Sequence, residues 1–331
     1  MQVRGAVLIL ILVLLAAIPV EASAHGANGD PVPQGEGPSS MRPLQMKLDS
    51  KWIGNAICYS PYRDGQNPDG ASPSSAQLRE DLQLMLPHWN LLRTYGSSGY
   101  VEPLLSIIRE QHLPMQVMLG VWISPKDSTA NQREIDESIR LANAFPGIVI
   151  AVCVGNETRV SWSDHRLPEE VLIDSIRRVR EAVAVPVSTA DDFKYWNQEE
   201  SRTVAAEIDF LTMHAHPLWN GIQLEDALPW LERQVEAVQA MHPESVIVLG
   251  ETGWATDHSR EGEQGQLIKG QTGAAEQKQF YEAERDWAKA KSIPSFIFEA
   301  FDENWKGGDD PKEVEKHWGL FRADRTPKSE F

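Results

Sequence analysis

The sequence predicts an α/β protein built as a single (β/α)8 TIM barrel, and three observations carry that expectation. Eight short runs rich in β-branched and aromatic residues recur between Trp52 and Phe301, with amphipathic stretches of helical period between most of them. That interval is 250 residues, the usual span of one barrel. No G-x-G-x-x-G or Walker sequence occurs, so the phosphate loop of an open doubly wound sheet is missing.

The chain opens with Arg4, an unbroken apolar run over 6–18, Pro19, and Ala22-Ser23-Ala24 in small-x-small order. This is the pattern of a secretory signal peptide, residues 1–24, cleaved after Ala24. The apolar run is shorter than the roughly 20 residues that span a bilayer, so no stable membrane insertion is expected after cleavage. Residues 25–47 read as a flexible linker, because 25–43 is rich in Gly, Pro, Asn and Ser and has little apolar surface to offset ordering entropy. The catalytic domain is expected over 48–331. Its strands are predicted at 52–58, 90–95, 115–121, 148–154, 185–188, 210–214, 246–250 and 295–301. Helices are predicted at 76–86, 101–111, 133–145, 169–182, 224–241 and 274–291. In the last of these Phe280, Glu284 and Trp287 share one face, as helical spacing requires. Little chain follows Phe321, so a short or absent eighth helix is expected.

The formal charge is −17, and it is unchanged by removing residues 1–24 because Arg4 and Glu21 cancel. So acidic a surface repels nucleic acid and anionic membranes, and it suits a neutral ligand. The two cysteines, Cys58 and Cys153, lie in apolar strand-like runs and are expected to be unpaired core thiols despite export to the periplasm or medium.

Barrel enzymes draw their chemistry from the C-terminal ends of strands. Two such ends repeat one pattern: Val154-Gly155-Asn156-Glu157 after the fourth strand and Leu249-Gly250-Glu251-Thr252-Gly253-Trp254 after the seventh. Glycine permits the bend that aims the next carboxylate into the barrel mouth. Either glutamate alone could be a solvated strand-end residue. Together they suit glycoside hydrolysis, where one carboxyl protonates the leaving oxygen and the other meets the anomeric carbon, about 5–5.5 Å apart if configuration is retained. Arg93 is placed to keep Glu251 ionised, leaving Glu157 protonated for want of a matching cation. Asn156 is placed to bond a sugar 2-hydroxyl.

Tyr59, Trp122, Trp162, Trp219, Trp254 and Trp305 fall at or beyond strand ends, where flat rings could stack on sugars, although most tryptophans simply fill core space. Trp219 and Trp305 adjoin the motifs. His214-Ala215-His216 has a spacing used for metal binding, but no further strand-end ligand completes a set, so no metal or other cofactor is expected. His214 is assigned instead to sugar contact or to orienting Glu251 or Tyr95.

Arg93-Thr94-Tyr95-Gly96, the two glutamate motifs, Phe301-Asp302-Glu303-Asn304-Trp305-Lys306 and Glu315-Lys316-His317-Trp318-Gly319-Leu320-Phe321 together resemble glycoside hydrolase family 17, the β-1,3-glucanase family. The resemblance spans about 52–321. It implies Glu157 as acid/base, Glu251 as nucleophile, and Glu303, Lys306 and Glu315 in a supporting polar network. Cys58-Tyr59-Ser60-Pro61-Tyr62-Arg63 and Phe298-Glu299-Ala300-Phe301-Asp302-Glu303 resemble the bacterial branch, whereas His216-Pro217 stands where plant members have Tyr-Pro. The expected activity is retaining hydrolysis of β-1,3-glucan, with glucan transglycosylation at the same site, or a metal-dependent barrel hydrolase, as alternatives. The motifs leave linkage preference, endo or exo action and oligomeric state open.

Overall fold

Eight parallel strands close into a barrel in chain order. They are β1 (Asn55–Cys58), β2 (Leu91–Arg93), β3 (Gln116–Val121), β4 (Val149–Asn156), β5 (Val187–Asp192), β6 (Leu211–His214), β7 (Ile247–Thr252) and β8 (Ser295–Ile297), and β8 pairs back onto β1 through Phe296 opposite Ala56. This is the predicted (β/α)8 barrel. The computed structural model describes residues 41–330. The expected leader, and residues 25–40 of the expected linker, lie outside the described residues.

Local chemistry sets the outer helices. Ser74 and Gln77 form a reciprocal capping box before Ser75–Met85, and Asp127 accepts from Thr129 N and Ala130 N, so the third helix starts at Ser128, five residues before the predicted 133. Glu169 and Glu170 begin one helix, and Lys289 and Lys291 end another, each complementing the helix dipole. Phe280 and Glu284 are buried and Trp287 is half-buried on the face expected of the last helix. Three helices were not foreseen: Phe193–Trp196, Ser201–Ala205 and Gly262–Leu267, each too short to show a period.

The barrel interior is filled by strand side chains, so some positions tolerate no side chain at all. A Cβ at Gly120 would lie 2.4 Å from the Thr94 carbonyl, and one at Gly250 would lie 2.3 Å from Thr212 Cγ2. Cys58 and Cys153 are unpaired and buried in this interior, and burial pushes the Cys58 thiol up to about 12.

The two ends fare differently: one departs from expectation and the other follows it. The expected linker over 25–47 must be shortened, because from residue 41 onward the chain is bound to the barrel. Arg42 donates through its backbone N and its Nε to Asp209 at 2.9 Å and through Nη1 to the Val183 carbonyl at 2.6 Å. Leu44, Met46 and Leu48 pack on the core, and Lys47–Leu48 pairs with Lys51–Trp52 as a hairpin. Composition shows where apolar surface is scarce, but it cannot show one arginine reaching a buried aspartate. At the other end, no α-helix follows β8 among the described residues. A single turn, Val314–Lys316, precedes Phe321, which bridges to Phe301 and Pro327. Arg325 then grips Asp81 of the first helix by two 2.8 Å contacts.

Candidate active site

The strand ends deliver seven polar side chains to one point, Arg93, Tyr95, Asn156, Glu157, His214, His216 and Glu251. Glu157 follows β4 directly. Its own φ is +53°, and the preceding Gly155 is at +81°, so the chain turns sharply out of the strand here. The left-handed region costs a side-chain-bearing residue roughly 1–2 kcal/mol, and the Glu157 N–H bond to the Ala190 carbonyl at 2.8 Å helps hold it there. Glycine therefore serves as a bend before Glu157. Gly250 has no positive φ, but the register against both β6 and β8 slips just after Leu249, and a side chain at Gly250 would collide with Thr212. Glu251 lies within β7 and points inward.

Around Glu251 the donors are dense. Arg93 Nη1 reaches Oε1 at 2.6 Å, Tyr95 OH donates to the same oxygen at 2.9 Å, and His216 Nε2 faces Oε2 at 3.4 Å. Arg93 Nη2 also donates to Asn156 Oδ1 at 2.6 Å, so one guanidinium links β2, β4 and β7. His214, fully buried, turns Nδ1 to Glu157 Oε1 at 3.0 Å and Nε2 to Glu251 Oε1 at 3.5 Å. One carboxylate oxygen from each glutamate and one His214 nitrogen lie within 4.8 Å of one another. His214 Nδ1 is hydrogen-bonded to Glu157, whereas its Nε2 faces Glu251 without making a hydrogen bond, so the imidazole stands between the two carboxyls and is bonded to one of them.

The two carboxyls are driven apart electrostatically. Burial, then the charge of Glu251, raises Glu157 well above the usual carboxylate range. Burial acts the same way on Glu251, but His214, His216 and Arg93 overcome it and hold Glu251 well below that range. His214 cannot contribute a positive charge, since burial drives it down to about 3 and keeps it neutral. The permanent cation is Arg93, and His214 acts as an oriented dipole. Burial opposes a proton on His216, yet its bond to Glu251 and the nearby Glu157 and Glu315 raise it overall.

A cavity of about 480 Å³ opens beside this pair, lined by Glu157, Asp192, His216, Trp219, Glu251 and Glu315 among others. Trp219 Nε1 donates to Glu315 Oε1 at 3.2 Å. Next to it, beyond β8, lies a second cluster. Lys306 Nζ sits 3.0 Å from Glu299 and 2.6 Å from Glu303, and Trp305 Nε1 donates to Glu303 at 2.8 Å. Trp305 is partly exposed and stands edge-on to Tyr62.

Not every expected residue reaches the site. Tyr59 is fully buried and donates to Asp81 at 3.1 Å, facing the first helix. Trp254 is also buried, packs on Phe280, and donates to the Gln271 carbonyl at 2.9 Å. Neither can stack on a ligand. Arg93 and His214 are too enclosed for sugar contact and act on the glutamates. The sequence reading also missed residues that line the cavity: Asp192, Lys194, Asn220, Phe298 and Trp318. Reading the fifth strand to its true end at Asp192 would have exposed a third acidic strand terminus.

Comparison with known proteins agrees with this geometry. A glucan 1,3-beta-glucosidase of Schizosaccharomyces pombe is 30% identical over 281 residues, covering 80% of this chain and 83% of that protein. An endo-laminarinase from Formosa Hel1_33_131 superposes with a TM-score of 0.72 at 26% identity, over 82% of this chain and 85% of the other. A glycoside hydrolase family 17 beta-1,3-glucanosyltransferase from Rhizomucor miehei shares the fold at a TM-score of 0.68 and 24% identity, over 82% and 94% of the two chains. The curated relatives are fungal, so they do not carry the bacterial-branch assignment. Residues 56–319 match the BtgE/BtgC glycoside hydrolase domain, and the chain belongs to that family.

Proposed function

We propose that this protein is a retaining β-1,3-glucan hydrolase in which Glu251 is the nucleophile and Glu157 the acid/base. The observation that carries the reading is the facing pair, with oxygens within 4.8 Å, one carboxyl held neutral and the other ionised. Oxygens this close fit the roughly 5–5.5 Å carboxyl separation of retaining enzymes better than the roughly 6.5–9.5 Å of inverting ones. In the first half-reaction a Glu251 oxygen bonds the anomeric carbon while Glu157 gives its proton to the departing glycosidic oxygen. In the second, Glu157 takes a proton from water, the water oxygen bonds the same carbon, and the electron pair returns to Glu251.

The supporting side chains follow from their contacts. Arg93 and Tyr95 fix Glu251 through one oxygen, leaving Oε2 toward the cavity. Asn156 turns its oxygen to Arg93, so its NH2 is the end that can meet a sugar 2-hydroxyl. His214 keeps the two carboxyls in register. Trp219 and Trp305 offer rings to glucose units, and Glu303 and Lys306 with Glu299 and Glu315 fix the rim beside them.

The substrate assignment is supported by the names of the relatives and by the absence of a cation-rich lining at the cavity, where acids outnumber Lys194 and His216. Membership of family 17, and of its bacterial branch, rests on the motifs. Export rests on the leader over 1–24. No helix among the described residues is long and apolar enough to cross a membrane. The test is incubation with β-1,3-gluco-oligosaccharides and mass analysis of the products. Shorter species are expected, longer ones mean that a sugar hydroxyl replaces water, and no product from any β-glucan would end the proposal.

A further inference from the structure

Trp162 is the most exposed tryptophan in the chain, at 55%, yet it sits on one of the most firmly braced loops. The loop runs from Glu157 to the helix at Glu169. Buried Asp191 of β5 accepts from Arg159 N at 2.7 Å and from Val160 N at 3.1 Å, which fixes the start of the loop. Leu167 N donates to the Thr158 carbonyl at 2.9 Å and Arg159 Nη1 to the Leu167 carbonyl at 2.6 Å, which ties its end to its beginning. Val160 and Leu167 on either side are buried, and His165 packs on Trp122 with ring centroids 4.7 Å apart. A fixed loop thus holds a large flat ring out in solvent at the wall of the cavity.

Position decides which sugar that ring would meet. The loop carries Glu157, and Asp192, on the neighbouring strand, lines the same cavity next to it with Oδ1 engaged by Lys194 N at 2.8 Å. The acid/base must touch the glycosidic oxygen, so the unit beyond that oxygen lies on the Glu157 side, across from Glu251. We propose that Trp162 and Asp192 form an acceptor subsite for a neutral glucose unit, Trp162 stacking on its ring face and Asp192 accepting from a hydroxyl. This rests on the functional reading above. The subsite holds the unit that leaves in the first half-reaction. In the second, a sugar seated there gives a hydroxyl proton to Glu157, its oxygen bonds the anomeric carbon, and the bond to Glu251 breaks with its electrons returning to that carboxylate. A preorganised ring adds affinity without the entropy of ordering a loop.

The test compares two donors: a β-1,3-glucotetraose, whose leaving group is a sugar, and β-laminaribiosyl fluoride, whose leaving group has no ring to stack. Trp162→Ala is expected to lower kcat/KM on the tetraose about tenfold more than on the fluoride donor, the size of one stacking contact. Trp162→Phe should recover most of that difference. Any longer oligosaccharides formed by the parent should fall in the alanine variant by a similar factor. Equal losses on both donors would overturn the subsite while leaving the glucanase reading intact. A parent enzyme that turns over neither donor would overturn both.

Discussion

Two arginine–carboxylate pairs are buried in this barrel, and they are finished differently. At the Asp81–Arg325 pair every carboxylate oxygen is used: Oδ1 accepts from Arg325 Nε and Arg63 Nη2, Oδ2 from Arg325 Nη2 and the Tyr59 hydroxyl. At the Glu251–Arg93 pair one oxygen takes both short bonds, and the other faces the cavity with His216 at 3.4 Å. The first is a closed clasp joining the chain's last segment to its first helix. The second keeps one oxygen in reserve. Burial and an arginine are common to both, so what separates a structural carboxylate from a reactive one here is incomplete saturation on the side of the cleft.

Substitutions at the two pairs should therefore fail in different ways. Glu251→Gln should cost at least about 10⁴-fold in kcat while leaving thermal unfolding close to that of the parent, since a reacting group is lost and the fold is not. Residual activity above about one per cent would assign the nucleophile elsewhere. Asp81→Asn should do the reverse. It leaves Arg325 buried with its charge uncompensated, a loss of about 3–5 kcal/mol of stability, read by denaturant unfolding, while the folded fraction keeps its kcat.

The contrast within the site is sharper still. Activity requires Glu251 ionised and Glu157 protonated, so kcat/KM should rise with pH through the low value of Glu251 and fall through the high value of Glu157. Glu157→Gln should lose about 10²–10⁴-fold on an oligosaccharide, much less on an aryl donor with a good leaving group, and the alkaline limb should vanish. A surviving alkaline limb would move the acid/base role to another residue.

The smallest effect concerns a buried carboxyl far from the cleft. Glu284 is raised to about 7 by burial and bonded by Ser295. It stays protonated in the folded chain while the unfolded chain releases that proton near the ordinary value of 4.5. Its contribution to stability is thus fully present below about 4.5 and is lost as pH rises to about 7, by at most about 3 kcal/mol. Glu284→Gln should flatten the change in melting temperature between pH 5 and pH 8. An unchanged slope would show that this carboxyl ionises alike in both states.

Much of the barrel was legible because each strand buries an apolar run and each long helix buries one face, and both leave a period in the sequence. The glutamates were legible because Gly-Asn-Glu and Gly-Glu interrupt such runs abruptly. Tyr59 and Trp254 were misassigned for a geometric reason: residues near a strand end alternate between the barrel mouth and the helix layer, and one position of register decides which. Asp192 was overlooked because Thr189-Ala190-Asp191-Asp192, just past the predicted strand, reads as loop, although a barrel can extend a polar strand where it lines a cleft. The spacing of His214 and His216 suggested metal ligands. In space one stands between the glutamates, bonded to Glu157, and the other flanks Glu251, a distinction that spacing does not encode. Lys306 was placed in the right cluster, but its partner Glu299 had no assigned role until the ion pair was seen.

The clasp at Arg325 also governs when this chain can finish folding. Asp81 waits 244 residues for its partner, and β8 must reach β1 before the ring exists. During synthesis the sheet edge therefore stays open until β8 at residues 295–297 emerges, and Asp81, paired until then with Arg63 alone, gains its buried arginine only after residue 325. Maturation becomes a late, all-at-once event rather than a progressive one. Until β8 is made, the apolar edges of β1 and β7 have no strand to pair with and are open to pairing with another chain.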